Sequence, residues 1–327
     1  MEVLGLDVGY SNLKLAAGRS GGAPELRVMP AMAAPQAQVA AHLEGISGTD
    51  DGVAVMLDGR RWIAGVAPTR VCGWQRALHE DYTASESYRA LVAAALGQVG
   101  RRQIGRLVTG LPVAQAVDAQ RREALRAQLL GRHDTPAGVV EVLDVRVVAQ
   151  PVGSFVDALL HAGEAVIDQI SDGTVIVIDV GFFSVDWSVF VHGDLRRTAT
   201  GTSLEAMSVL IEATAEHIRT LRGGKPPAAS IEQALAAGRT AIRSRGERID
   251  LAPLLEQAAR DTAQIALEAL RQDLRREHTN ADLILLTGGG SALFEPLVRA
   301  LFAGVPLHRP ADPVTANARG YFYYGAR

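Results

Sequence analysis

Near the start the chain reads Val3-Leu4-Gly5-Leu6-Asp7-Val8-Gly9-Tyr10-Ser11-Asn12-Leu13-Lys14, and the pattern returns as Val177-Ile178-Asp179-Val180-Gly181-Phe182-Phe183-Ser184-Val185-Asp186. Each copy is a short apolar run that ends in Asp-x-Gly, passes through a turn and enters a second apolar run. Those runs, Val3 to Val8 with Leu13 to Ala17 and Thr174 to Asp179 with Val185 to Val191, read as hairpin strands. Two copies about half a chain apart predict two related α/β domains facing one another, a repeat of folds rather than a short solenoid period. Ligands of open α/β folds sit beyond strand ends, so the interdomain cleft is the expected site.

The bulk properties agree with two halves. At 327 residues the chain exceeds the usual size of a single core. Hydrophobic residues at 48% and charged residues at 21% suit a globular protein with ample interior. A formal net charge of −3 argues against direct nucleic-acid binding. The local clusters Arg121/Arg122/Arg126 and Arg239/Arg243/Arg245/Arg248 read as solvated helix faces. The single cysteine, Cys72, excludes an internal disulfide and a cysteine metal cluster, which fits a reducing compartment. The N-terminal run is strand-like rather than a signal peptide, and no stretch of about 18 apolar residues occurs. A cytoplasmic location with no membrane partner is the expectation.

Between the repeats, Asp58-Gly59 joins Val53–Leu57 to Trp62–Val66 as a tight hairpin. A helix is expected from Ser85 to Leu96, a strand at Arg106–Leu111, a second helix from about Val113 to Leu130 and a strand from Val139 to Val148. Gln150-Pro151 then opens a helix, with proline where its missing N–H costs nothing. In the second half, Thr202 or Ser203 is expected to cap a helix towards Leu221, with Glu205 in its first turn. Arg222 to Pro227 is a breaker, followed by helices at Ile231–Ala237 and Ala252–Arg276. The strand Leu283–Thr287 ends in Gly288-Gly289-Gly290, before helices at Ala292–Phe302 and near Val314–Tyr324.

The loops suit a polyphosphate. A glycine-containing turn at Gly9-Tyr10-Ser11-Asn12 aims backbone N–H groups at phosphate oxygens, and Ser11 and Asn12 add side-chain donors. Lys14 offsets phosphate charge, and Asp7 holds Mg²⁺ through water, since Mg²⁺ keeps its hydration shell. The same Asp-x-Gly is also ordinary turn chemistry. Asp179 is the second Mg²⁺ carboxylate, with Gly181, Phe182 and Phe183 donating through the backbone. The two bulky phenylalanines stand where a phosphate loop usually carries glycine and threonine, so hydroxyl contacts are lost. Asp186 is either a site carboxylate or a satisfied structural one. Gly288, Gly289 and Gly290 let backbone lie against adenine or ribose at a helix N-terminus, although a sharp turn alone would use one or two of them.

In this order the motifs resemble the actin/Hsp70/sugar-kinase superfamily. The likeness comprises a phosphate-1 loop at Asp7–Lys14, a connecting helix at Gln150-Pro151, a phosphate-2 loop at Asp179–Asp186, an adenosine motif at Gly288–Gly290 and a second connecting helix around Ala316–Gly320. Gly110-Leu111-Pro112-Val113, Gly201-Thr202-Ser203-Leu204 and Ala316-Asn317-Ala318-Arg319-Gly320-Tyr321 resemble in particular the ParM/StbA group of plasmid-segregation actin-like ATPases. The resemblance implies an actin-like fold of two ribonuclease H-like α/β domains around a nucleotide cleft. Domain I would span 1–150, with an insertion at about 32–100 and the helix at 312–327 returning to it. Domain II would span 151–311, with an insertion at about 205–278.

It further implies binding of ATP/ADP with Mg²⁺, and hydrolysis coupled to self-assembly into filaments that move plasmid DNA through a separate DNA-binding adaptor. In that scheme Gln150 orients the attacking water, with Asp179 as the alternative polar group, and hydrolysis is slow because glutamine takes no proton. Glu205 bonds the ribose or favours the helix dipole, and Asn317 caps the last helix. Two other readings remain open. A small-molecule kinase of the same superfamily would need a base such as Asp118, Asp134 or Asp144, whereas a non-polymerising nucleotide-binding adaptor or chaperone would need none.

Overall fold

The computed structural model describes residues 1–40, 52–72 and 81–327. It divides into two compact units, Met1–Ala162 with Val314–Arg327, and Gly163–Pro313.

The first unit is built on a five-stranded sheet in the order Val145–Ala149, Arg106–Leu111, Glu2–Val8, Asn12–Arg19, Glu25–Pro30. Glu2–Val8 runs antiparallel to Asn12–Arg19 and parallel to Arg106–Leu111. Its nearly unbroken apolar run follows from cover on both faces. Leu4 and Leu6 join a core that includes Leu91 and Leu96 of the helix Glu86–Gln98, while Val3 packs with Ala318 and Phe322 of the C-terminal helix. The insertion carries the Val53–Leu57/Arg60–Ala64 hairpin, turned by Asp58 and Gly59 at φ 49° and 76°, with Ala33–Pro35 as a third strand. The expected insertion at 32–100 also includes 41–51 and 73–80, which lie outside the described residues.

Two expected elements are each divided. The helix expected at Val113–Leu130 breaks at Asp118, whose carboxylate caps Ala119–Leu129 by accepting from the N–H groups of Gln120 and Arg121 at 2.8 and 3.3 Å. The strand expected at Val139–Val148 breaks at Leu143-Asp144. Gly138–Val142 pairs with Gly131–Thr135 in a separate small sheet, and Val145–Ala149 joins the main one. Arg106 holds the break by donating to Asp144 at 2.7 Å, which keeps that carboxyl below its ordinary pKa.

The connecting helix Gln150–His161 crosses the C-terminal helix Ala316–Ala326 at Gly153 and Gly320. A β-carbon on Gly320 would overlap the Gly153 carbonyl, and one on Gly153 would lie 2.6 Å from the Asn317 carbonyl oxygen. Asn317 does not cap its helix as expected. Its side-chain oxygen accepts from the N–H and hydroxyl of Ser154 at 3.0 and 2.6 Å, across the crossing. We expect Gly320→Ala to destabilise the first unit by about 3 kcal/mol, read as a lower midpoint in urea. An unchanged midpoint would mean that the helices separate without cost.

The second unit's sheet has the order Asp194–Ser203, Val185–Val191, Thr174–Val180, Leu283–Thr287, Leu307–His308. Its core packs the sheet against the helices Met207–Arg222, Ala252–Arg276 and Ser291–Leu301. Thr202 and Ser203 do not cap a helix. They end a strand, in register with Asp186 and Val185, and the helix begins at Met207. Glu205 therefore precedes the helix rather than lying in its first turn. The cluster Arg239/Arg243/Arg245/Arg248 is likewise not a helix face, because Ala241–Ser244 and Glu247–Asp250 form a hairpin turned by Arg245 and Gly246. Among the described residues, no helix is long and apolar enough to cross a membrane.

Candidate functional site

In the first unit the turn after Asp7 is closed by the Gly9 N–H donating to the Asn12 carbonyl at 3.1 Å. Asp7, 4% exposed, sits directly opposite Lys14 on the neighbouring strand, and the lysine Nζ donates to its Oδ2 at 3.0 Å. Cross-strand partners share a face, so the opposite charges favour each other. Ser11 is fixed through its carbonyl, which accepts from the Ala31 N–H at 2.7 Å. Tyr10 lies on Tyr82 with ring centroids 4.5 Å apart and planes 26° apart. Tyr82 in turn meets Tyr88 edge-on at 5.4 Å. Burial holds the Tyr88 phenol well above its ordinary pKa, and the charge of Asp7 adds to the effect.

Gln150 is the first residue of its helix, and its carbonyl accepts from the Tyr321 hydroxyl at 3.2 Å. Its Cγ lies beside Gly110, where a β-carbon would approach it to 3.0 Å. A β-carbon on Gly110 would first overlap the Tyr321 hydroxyl, so the bare glycine makes room for that ring and, beyond it, for Gln150.

In the second unit the corresponding turn closes the same way, with the Gly181 N–H donating to the Ser184 carbonyl at 2.9 Å. Asp179 and Asp186 occupy the cross-strand position that Asp7 and Lys14 occupy in the first unit. Here both partners are acidic and buried, 8% and 2% exposed. Asp186 accepts from the hydroxyls of Ser184 at 2.6 Å and Thr202 at 2.5 Å. The register that displaced Thr202 from a helix cap therefore makes it a carboxylate donor. The N-terminal amides of Met207 and Ser208 donate to the carbonyls of Gly181 and Phe182 at 3.4 and 2.7 Å. These bonds replace a side-chain cap and anchor the turn to its helix. Phe182 is packed against the unit's core, which accounts for a bulky side chain at this position. Glu205 is half-buried, and its N–H donates to the Ser203 hydroxyl at 3.2 Å.

The three glycines answer to different constraints. Gly288 has φ +85°, and a β-carbon there would overlap the Asp179 carboxylate and the Val180 carbonyl. A β-carbon on Gly290 would lie 2.5 Å from a Val180 methyl and 2.7 Å from Met207. Gly289 is exposed and faces open space, with no atom within 4 Å of its β-carbon position. Only its bareness is left for a ligand to use. We expect Gly289→Ala to leave stability within about 0.5 kcal/mol while weakening nucleotide binding, read by calorimetric titration of ADP.

The residue types fit a magnesium nucleotide. Like carboxylates directly opposite one another repel, and a divalent cation offsets that repulsion. Among the described residues, no group of three or more His, Cys, Asp or Glu side chains is arranged for a metal. Magnesium nevertheless uses one or two carboxylates with substrate phosphates rather than an all-protein cage, so a buried aspartate before the turn, Asp7 or Asp179, suits it, while Asp186 is held by its two hydroxyl donors. The kinase bases are committed elsewhere or set apart. Asp118 caps a helix, Asp144 pairs with Arg106, and Asp134 lies exposed on the strand Gly131–Thr135. Tyr82 carried no signal in the sequence, because its contact with the Gly9–Asn12 turn, through the Tyr10 ring, is made across the fold.

Residues 5–153 match a family model described as the actin-like proteins N-terminal domain, and residues 177–300 match the C-terminal domain of archaeal actin homologue, MreB-like. No curated protein gives a significant match. Among solved structures, Ta0583, an archaeal actin homolog in complex with ADP, is 20% identical with a TM-score of 0.75, covering 98% of each chain. A non-polymerisable quadruple mutant of pCBH ParM is 17% identical with a TM-score of 0.76, covering 99% of this chain and 98% of its own. A 15-stranded ParM filament from Clostridium botulinum is 16% identical with a TM-score of 0.74, with the same coverage. These likenesses show an actin-like fold of two domains. The first half of the chain is thus similar to the N-terminal domain of actin-like proteins, and the second half to the C-terminal domain of the MreB-like archaeal actin homologue.

Proposed function

We propose that this chain binds and hydrolyses ATP with magnesium, and that the bound nucleotide governs its assembly into filaments that move plasmid DNA through a separate DNA-binding adaptor. The observation that carries the reading is the duplicated hairpin. Both copies place a buried aspartate before a turn closed by the same glycine N–H to carbonyl bond. The ADP bound to the archaeal actin homolog and the ParM filament support nucleotide binding and self-assembly.

The phosphate donors are the backbone N–H groups of Tyr10, Ser11 and Asn12 in the first unit and those of Phe182 and Phe183 in the second. With nucleotide bound, Lys14 would exchange its bond to Asp7 for a phosphate oxygen, and Asp7 in the first unit and Asp179 in the second are the carboxylates that would hold magnesium through water. Magnesium, when bound, would supply charge neutralisation for phosphoryl transfer. Gln150 orients the attacking water, and because it accepts no proton, hydrolysis is slow. Gly289 leaves its backbone open to the adenosine, with Glu205 near the ribose.

The test is light scattering with phosphate release after ATP and Mg²⁺ are added, with ADP and a non-hydrolysable ATP analogue as controls. Scattering that rises with ATP above a critical concentration is the expected result. Tight nucleotide binding with no rise would instead favour the kinase or the non-polymerising adaptor.

A further inference from the structure

We infer that Tyr82 is a positioning residue for nucleotide binding, which sets the phosphate turn by stacking on Tyr10. The inference rests on the reading of Gly9–Lys14 as a phosphate turn. Tyr10 is the one aromatic side chain in that turn, and a hairpin turn with a bulky aromatic would ordinarily leave the ring in solvent. Here the ring is half-buried against Tyr82, which is itself 5% exposed. The near-parallel geometry at 4.5 Å lies within the range in which aromatic pairs attract beyond simple burial.

Tyr82 is well placed to act as an anvil. It also meets, edge-on, Tyr88, a fully buried ring on the helix Glu86–Gln98. Its own carbonyl accepts from the hydroxyl of Ser85, and Ser85 caps that helix by accepting from the Tyr88 N–H at 3.1 Å. The tyrosine is thus tied to a rigid helix start on one side and to the turn on the other. The Tyr82 hydroxyl reaches the Gly9 carbonyl only at 3.5 Å, a long contact that contributes little. The stacked ring, rather than the hydroxyl, is the positioning element.

A turn held in its binding conformation before ligand arrives binds more tightly, because less ordering accompanies binding. Losing the stack therefore weakens ground-state binding and leaves the chemical step intact. The experiment compares full-length wild type with Tyr10→Leu, Tyr82→Leu, the double variant and Tyr82→Phe, by ADP titration and steady-state phosphate release. Lys14→Ala is run as the control on the phosphate turn. Leucine keeps apolar volume in place, and circular dichroism with thermal unfolding reports folding. Tyr10→Leu is at a half-exposed position and keeps the test open if Tyr82→Leu does not fold.

Each single leucine variant is expected to raise the ADP Kd and the ATP KM about tenfold with kcat within about twofold. The double variant should lose no more than either single one, and Tyr82→Phe should bind like wild type. Unchanged ADP affinity in a folded Tyr10→Leu, or strictly additive losses in the double variant, would overturn the inference. If Lys14→Ala weakens ADP binding in that same experiment, the phosphate-turn reading survives and only the role of Tyr82 is lost. If Lys14→Ala binds ADP like wild type, the phosphate-turn reading itself fails.

Discussion

Asp179→Ala is expected to lower ATP-dependent phosphate release by about 10²-fold or more while the second unit stays folded. The carboxylate lies one residue before the end of the strand Thr174–Val180, directly across from Asp186. Removing one of two facing buried carboxylates also removes their mutual repulsion, which offsets the small void left beside Gly288. A change of a few degrees or less in the unfolding temperature is therefore expected. Circular dichroism and thermal unfolding establish folding, and a coupled phosphate assay reads the rate. A folded variant that turns over ATP at the wild-type rate would sink the assignment of Asp179. Asp186→Asn distinguishes the two carboxylates, because asparagine removes the charge yet keeps an acceptor oxygen for one of the two hydroxyls, which donate to different oxygens of Asp186.

Arg319→Met should destabilise the first unit by about 3–5 kcal/mol. Arg319 donates through Nε and Nη2 to the two oxygens of Asp157, both at 2.5 Å, and through Nη1 to the Thr315 hydroxyl at 3.1 Å. Asp157 is 1% exposed, so methionine would leave a carboxylate in the interior with the His161 ring at 3.0 Å as its remaining ionisable neighbour. An unpaired buried charge is the costly state, and the pair itself is close to neutral in energy. The double variant Asp157→Leu/Arg319→Met should accordingly recover most of the loss. Urea denaturation of the single and double variants decides the matter. A single variant within about 1 kcal/mol of wild type would mean that water reaches the pair.

Several local features were open to reading along the chain. The strand ends at Asp7 and Asp179 are visible because an apolar run, an aspartate and a glycine turn follow within a few residues of one another. The Asp58-Gly59 hairpin is visible because two consecutive residues with positive φ demand those residue types. Pro151 marks a helix start through its own geometry. Where the reading failed, the partner lay elsewhere in the fold. Thr202 and Ser203 have the composition of a helix cap, yet pairing with Asp186 and Val185 draws them into a strand. The carbonyls of Gly181 and Phe182 then take over the capping of the helix at Met207. Asn317 likewise looks like a cap and is instead claimed by Ser154 on the crossing helix.

The sequence by itself determined that two α/β units are built on a repeated Asp-x-Gly hairpin, because strand period, turn chemistry and helix-start signals are all satisfied by near neighbours. Tertiary structure alone decided that Lys14 pairs with Asp7 while Asp186 faces Asp179, that Tyr82 supports Tyr10, and that only Gly289 of three glycines stays open. Those outcomes depend on cross-strand register and on atoms brought within a few ångströms by packing, and no local pattern of residues encodes either.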